Sequence, residues 1–399
     1  MKIAIWLNDE LSPHVGGAFS YTERLIRAID GYEFSSELEI CFVSSLFVKA
    51  DSLRKEVVKL YTPFEYLLSK VPYLRDIKLF QRIAKRLNNA AYKNQLESHG
   101  IKLIFYPSQF INPIKDFPFI ASHWDIAHRS TFAFPEFSFF LQDIRDEFYK
   151  SFFPRALMIF VESEAGKREL IRYSGLNEER IAVVPIFAGS CASLCVSQDE
   201  QEETLNKLNL EKYKYFYYPA QFLAEKNHYA VIEALSLIVS KYPDYKVVFT
   251  GSSSKELFGT RDYIKTEVGK LGLSDQVVFA PFQSINGVYS LYKNACAHIM
   301  ASYVGPTNMP PLEAMFIGCP VICSDISGHR EEMGDAAIYF DAKSSRQLAD
   351  AMVEMIENRD VYLSKIEKQS FACKFTMENA LKSINNHFLE ASIIRRTWG

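Results

Sequence analysis

Val304-Gly-Pro-Thr-Asn-Met-Pro-Pro-Leu-Glu-Ala-Met-Phe-Ile-Gly-Cys-Pro-Val-Ile-Cys-Ser-Asp325 reads as a loop, a helix and a strand in succession. Asn308 is a residue type that caps helices, and Pro310 and Pro311 fall in the first turn, where a missing backbone N–H costs little. Leu312 to Ile317 then form a short helix, which Gly318 stops. Cys319 to Cys323 form an apolar β-type run ending in Ser324-Asp325. A helix that starts at such a loop aims free N–H groups and the positive end of its dipole at whatever sits there, so the stretch predicts an anion site, with phosphate the usual guest.

Working outward, the same alternation fills the second half of the chain. Strands are predicted at Tyr215 to Pro219, Tyr245 to Thr250, Val277 to Ala280 and Ala297 to Ala301. Helices are predicted between them at His228 to Val239, Leu257 to Leu271 and Val288 to Asn294. The first half repeats the pattern, with strands at Ile3 to Leu7, Lys102 to Tyr106, Pro118 to Ser122, Ala156 to Glu162 and Ile181 to Pro185, and a helix from Ala18 to Ile29. Strand–helix alternation in both halves implies parallel βαβ units, and hence an α/β fold of two doubly wound Rossmann-like domains facing across a cleft. Phe187 to Gln201 lacks a periodic pattern. We therefore divide the chain into a domain at 1–188, a linker at 189–206, a domain at 207–374 and a C-terminal helix at 375–399 that returns to the first domain.

With 399 residues, the chain is long enough for each half to bury a core of its own. A net charge of −3 argues against general nucleic-acid binding. Seven cysteines without a framework spacing fit a reducing compartment, and neither Cys191/Cys195 nor Cys319/Cys323 has the partners of a zinc site. No apolar run suits a transmembrane helix or a signal peptide, so a cytoplasmic location is expected.

Several stretches carry a bland reading beside a functional one. Gly16-Gly17, between a strand and a helix, is a turn or a place where backbone comes close to a ligand. Basic residues from Lys70 to Lys93, with Leu74, Ile77, Phe80 and Ile83 at helical spacing, form a solvated face or a contact with an anionic membrane surface. His123-Trp-Asp-Ile-Ala-His-Arg129 falls at the carboxyl end of a predicted parallel strand, where open α/β sheets place their ligands. Its two histidines are satisfied polar groups or functional ones. No Gly-x-Gly-x-x-Gly or phosphate-binding P-loop motif occurs, which counts against dinucleotide dehydrogenases and P-loop enzymes.

Pro-Pro-Leu-Glu-Ala-Met (310–315) followed by Gly-Cys-Pro-Val-Ile (318–322) resembles the signature of the retaining glycosyltransferases of family four, the glycosyl transferases group 1. These are GT-B fold enzymes that use nucleotide-sugar donors. In the usual pattern two glutamates stand with seven residues between them; the second matches Glu313, and the first falls on Gly305. The chain is similar to a subgroup with Gly-Pro-Thr-Asn (305–308) before Pro-Pro-Leu-Glu.

The resemblance implies a retaining hexosyltransferase that moves sugar from a nucleoside diphosphate to a sugar hydroxyl, on a lipid-linked or surface-polysaccharide glycan such as lipopolysaccharide. Gly16, Gly17, Gly305, Pro306, Thr307, Asn308 and Met309 then face the donor. Lys226 matches a diphosphate-binding lysine, with Gln221 in the place of the usual arginine; Phe282 meets the base and Glu313 the ribose. Asp125, with His123 or His128, orients the sugars at the reacting centre. No cofactor or metal is implied beyond the donor, and no Asp-x-Asp metal motif appears. Peripheral contact of segment 70–93 with the inner face of the membrane would suit a lipid-linked acceptor. A nucleotide-sugar epimerase of the same fold and a non-catalytic nucleotide-sugar-binding partner are the alternatives, the latter kept open by Gly305 and Gln221.

Overall fold

The predicted apolar runs become two all-parallel sheets. The computed structural model describes residues 1–7, 17–44, 52–62, 89–109, 114, 116–138, 141–251, 259–368 and 374–397. Gly16, residues 70–88 of the basic segment, Ser252 to Ser254, Trp398 and Gly399 lie outside the described residues. Among those described, no helix is long and apolar enough to cross a membrane.

The first sheet holds β1 (Lys2–Trp6), β2 (Glu39–Ser44), β3 (Val57–Lys59), β4 (Ile101–Tyr106), β5 (Phe119–His123), β6 (Met158–Val161) and β7 (Ile181–Val183), in the order β3-β2-β1-β4-β5-β6-β7. The second holds β8 (Tyr215–Pro219), β9 (Lys246–Thr250), β10 (Val277–Phe279), β11 (Ala297–Met300), β12 (Val321–Ser324) and β13 (Ala337–Phe340), in the order β10-β9-β8-β11-β12-β13. Each sheet reverses its order beside its first strand, and the crevice beyond such a switch point is where open α/β sheets bind ligands. The strands are buried along most of their length, with Ile3, Ala4 and Ile5 fully buried in succession.

The helices that position the site are α1 (Gly17–Gly31), α2 (Glu164–Ser174), α3 (Gln198–Lys207), α4 (His228–Ile238), α5 (Met309–Ile317), α6 (Ser327–Met333) and α7 (Met377–Arg396). Ser163 caps α2 by accepting from the Gly166 N–H, and Gly175 ends it at φ 70°. The stretch read as linker contains much of α3, whose start carries the Ser-x-x-Glu signature: Ser197 Oγ accepts from the Glu200 N–H and lies within donating distance of Glu200 Oε2, at 3.3 Å. That signal is in the sequence and outweighs the missing apolar period.

Helix α7 packs against the first sheet. Phe388 is fully buried and stacks on Phe34 with ring centroids 5.9 Å apart. Ser383 Oγ donates to the Val183 carbonyl at 3.1 Å, and Asn385 Oδ1 accepts from the Ser35 N–H at 2.9 Å. The aromatic stretch from Phe132 breaks into short pieces, Pro135–Ser138, Leu141–Glu147 and a wide turn at Phe148–Phe152, which bury Phe148 and Tyr149 under the first domain's side of the cleft.

Candidate functional site

The carboxyl ends of the two sheets face each other across a cavity of about 470 Å³. The first domain contributes Tyr21, Trp124, Asp125 and Glu162 to its wall; the second contributes Gln221, Lys226, Phe282 and the run Gly305 to Pro310. Most of the second wall therefore comes from three short loops, each following a strand.

The backbone of the loop before α5 is shaped by Gly305, whose φ of +131° lies where side chains are rarely accommodated. A Cβ there would sit 2.3 Å from Asn308 Nδ2 and 2.9 Å from the Thr307 carbonyl oxygen. No glutamate fits at 305 without moving the loop. Gly328, on α6, gives the loop room from the other side, since a Cβ there would lie 2.5 Å from the Pro306 carbonyl oxygen.

Asn308 stands at the N-cap of α5, as the sequence predicts, but its side chain does not cap the helix. The amide instead donates from Nδ2 to His329 Nε2 at 2.9 Å. His329 Nδ1 lies 2.8 Å from the Ser324 carbonyl, which can only accept, so Nδ1 carries the proton and Nε2 is free to accept. Burial pushes the His329 pKa down to about 4, which keeps the ring neutral. The backbone N–H of Asn308 donates to buried Glu332 at 2.8 Å. With the two prolines lacking an N–H, fewer donors remain at this helix start than its sequence suggests.

Lys226 lines the cavity with its Nζ 3.2 Å from Glu225 Oε1, and Glu225 is buried and also accepts from Ser302 Oγ at 2.9 Å. Asn227, at the start of α4, takes φ 56° and donates its side-chain amide to the Ala342 carbonyl rather than capping the helix. Phe282 is 75% exposed at the cavity rim, in the same lining as Lys226 and Gln221. Glu313 departs from expectation. It lies outside the cavity lining, accepts from Tyr292 at 3.1 Å, and is covered by the chain at Gly189, where a Cβ would fall 1.8 Å from its Oε1. Burial pushes its pKa up to about 7, against hydrogen bonds from Cys191 and Tyr292.

On the first wall, Asp125 is held by Arg145 Nη1 at 2.8 Å and by the Ala127 N–H at 2.9 Å. Burial opposes its ionisation, but Arg145 and the Ala127 N–H outweigh burial and hold the carboxyl below its ordinary range. Gln109 fixes the loop by accepting from the Trp124 and Asp125 N–H groups and donating to the Asp125 carbonyl. The two histidines are not part of the lining. His123 is buried with Nε2 2.8 Å from the Tyr149 hydroxyl, and burial lowers its pKa to about 4. His128 is buried with Nε2 3.1 Å from Asp146 Oδ1; burial, then Arg145, lowers its pKa. Strand alternation accounts for His123, because β5 is buried on both faces and the chain turns toward the cleft only at Trp124 and Asp125.

Glu162, which the sequence shows only as the end of a strand, stands in the wall beside Asp125. The pairing of His123 with Val161 brings the ends of β5 and β6 together. Thr307 Oγ1 donates to Glu162 Oε2 at 2.5 Å across the cleft, and Tyr21 hydrogen-bonds the same carboxyl. Burial pushes Glu162 up to about 7 against both bonds. Ser163 Oγ donates to the Pro306 carbonyl at 2.9 Å, tying the end of this strand to the facing loop.

Two parallel-sheet α/β domains with a ligand-sized cleft between their carboxyl edges define the GT-B fold. The chain matches the solved structure of Anabaena Alr3699/HepE in complex with UDP and glucose at a TM-score of 0.68, with 18% identity over 98% of this chain and 100% of the other. Residues 200–370, which span the second domain, match the family described as Glycosyl transferases group 1. The putative glycosyltransferase EpsD of Bacillus subtilis is 28% identical over 176 residues, 44% of this chain and 41% of its own. The O-antigen chain mannosyltransferase RfbU of Salmonella typhimurium is 27% identical over 136 residues, 33% of this chain and 38% of its own. The alignments thus span about two fifths of these relatives.

Proposed function

We propose that the chain is a retaining glycosyltransferase that moves a hexose-type sugar from a nucleoside diphosphate to a sugar hydroxyl of a glycan acceptor, lipid-linked or destined for a surface polysaccharide. The observation that carries the proposal is the cavity itself. It sets a cation, an exposed ring and a loop with close backbone approach on the domain matched by the glycosyl transferases group 1, opposite two carboxylates. The solved structure that the chain resembles holds UDP and glucose.

In this arrangement Phe282 offers its face to the base, Lys226 balances the diphosphate, and the Gly305–Thr307 backbone bounds the sugar. As the bond from the sugar's C1 to the phosphate oxygen breaks, its electron pair stays with that oxygen, and Lys226 stabilises the growing charge. The acceptor hydroxyl bonds C1 from the face being vacated, and its proton passes to the departing phosphate. Asp125, ionised and held by Arg145, accepts a hydrogen bond from a sugar hydroxyl and orients it. Closure of the two walls around the ligands would expel water, so that the acceptor competes with hydrolysis.

Incubation with sugar nucleotides and a panel of hexosides, with the product's anomeric configuration read by NMR, tests the proposal. Transfer with retention is expected. Isomerised donor without acceptor, or donor binding without turnover, would overturn it in favour of an epimerase or a non-catalytic binding partner.

A further inference from the structure

The donor loop is poor in side chains that can meet a sugar. Gly305 has none and no room for one, and the Asn308 amide and N–H are engaged by His329 and Glu332. On the facing wall, Asp125 is fixed in place through Oδ1, which accepts from both Arg145 and Ala127. Two cavity groups are less constrained. Trp124 lines the wall, and its Nε1–H is buried with no acceptor among the described residues. Glu162 is held mainly by two hydroxyls, those of Thr307 and Tyr21, and a hydroxyl is what a sugar offers in exchange.

We propose that Glu162 is a specificity-determining residue, whose carboxyl exchanges the Thr307 hydroxyl for a hydroxyl of the donor sugar seated against Gly305, Pro306 and Thr307. Several placements support this. The residue lies at the carboxyl edge of a parallel sheet, its neighbour Ser163 fixes it to Pro306, and its bond partner Thr307 belongs to the loop that bounds the sugar. Exchange of one hydroxyl for another keeps the carboxyl satisfied throughout, so its cost is small. The charged and titratable groups facing it are Tyr21 from α1, Asp125 from the end of β5 and Glu332 from α6. With no cation among them, burial keeps the Glu162 carboxyl partly protonated near neutrality, and the protonated form can both donate and accept. The first domain would then select the sugar, while the second binds the nucleotide.

The inference rests on the donor-site reading, and calorimetry on the full chain separates the two. UDP, GDP and ADP are titrated beside UDP-glucose, GDP-mannose and ADP-glucose, followed by deoxy and fluoro analogues of the sugar nucleotide that binds. Glu162→Ala is expected to leave nucleoside diphosphate affinity within about twofold, and to weaken the sugar nucleotide about tenfold. One deoxy analogue should lose affinity for the native protein but not for Glu162→Ala. Thr307→Val, which removes the bond from Thr307 to Glu162 and keeps the carboxyl, should retain that discrimination. Equal loss for nucleotide and sugar nucleotide, or the same deoxy penalty in the native protein and Glu162→Ala, would reduce Glu162 to a structural latch and overturn the inference. Failure of every nucleotide to bind the native protein would overturn the donor site itself, and the inference with it.

Discussion

The two walls of the cleft are assembled in different ways. The second-domain wall comes mostly from contiguous loops, at Pro219 to Lys226, Phe282 to Gln283 and Val304 to Pro310, and its shape depends on backbone. The first-domain wall is a set of side chains from three separate places, Tyr21 on α1, Trp124 and Asp125 after β5, and Glu162 after β6, the last two places brought together by sheet order. Backbone-built walls tolerate little change and bind what their ligands have in common. Side-chain walls can be changed one residue at a time, which suits the part of the ligand that varies.

The sharpest attack on the backbone wall is Gly305→Glu, which restores the acid of the usual pattern but has no space and an unfavourable φ. It should cost about 3–4 kcal/mol of stability, read by denaturant unfolding, and abolish nucleotide binding. A stable Gly305→Glu protein with better donor affinity would show that the loop is pliable and break the contrast. On the other wall, Arg145→Ala leaves Asp125 partly buried without its cation. A loss of about 3 kcal/mol is expected, with the acidic limb of the turnover–pH profile moved to higher pH as burial raises the Asp125 pKa.

A milder probe is Glu162→Gln. Burial raises the pKa of folded Glu162 to about 7, above its ordinary 4.5, so between these values the native state holds a proton that the unfolded chain does not. The resulting stabilisation is complete below about pH 4.5 and is lost as pH rises through about 7. The native protein should therefore lose stability over that window more steeply than Glu162→Gln, by about 2 kcal/mol, in unfolding curves taken from pH 5 to 8. Parallel curves would contradict a proton on Glu162. Least disruptive is Phe282→Ala, because the ring is mostly exposed. Stability should be unchanged, and nucleoside diphosphate affinity should fall about fivefold, near 1 kcal/mol, through lost stacking on the base.

The same division marks what the sequence can and cannot disclose. Parallel sheets announce themselves as apolar runs separated by helices, so both domains and the loop before α5 are legible from local pattern. Lys226, Phe282 and Gly305 line the cavity for the same reason, since each lies in a loop that follows a strand. Glu162 is not legible. It reads as the last residue of a buried strand, and only its contact with Thr307, from the other domain, brings it into view. Asn308 lines the cavity without capping α5 through its side chain, and Glu313 lies outside the lining. Their residue types fit local roles, but His329 claims the one and Tyr292 with the chain at Gly189 encloses the other, neither of which a local pattern can show. His123 and His128 carry the chemistry of a site but are used in packing against Tyr149 and in pairing with Asp146.

Thermal unfolding of the native protein and Lys226→Ala with UDP, GDP, ADP, dTDP and NAD tests the donor site most directly. Ligand at 100 times its dissociation constant adds about 2.7 kcal/mol, which should raise the Tm by several degrees. A rise with one nucleoside diphosphate, absent in Lys226→Ala, is the predicted result. No response to any diphosphate, or a response to NAD alone, would contradict the account.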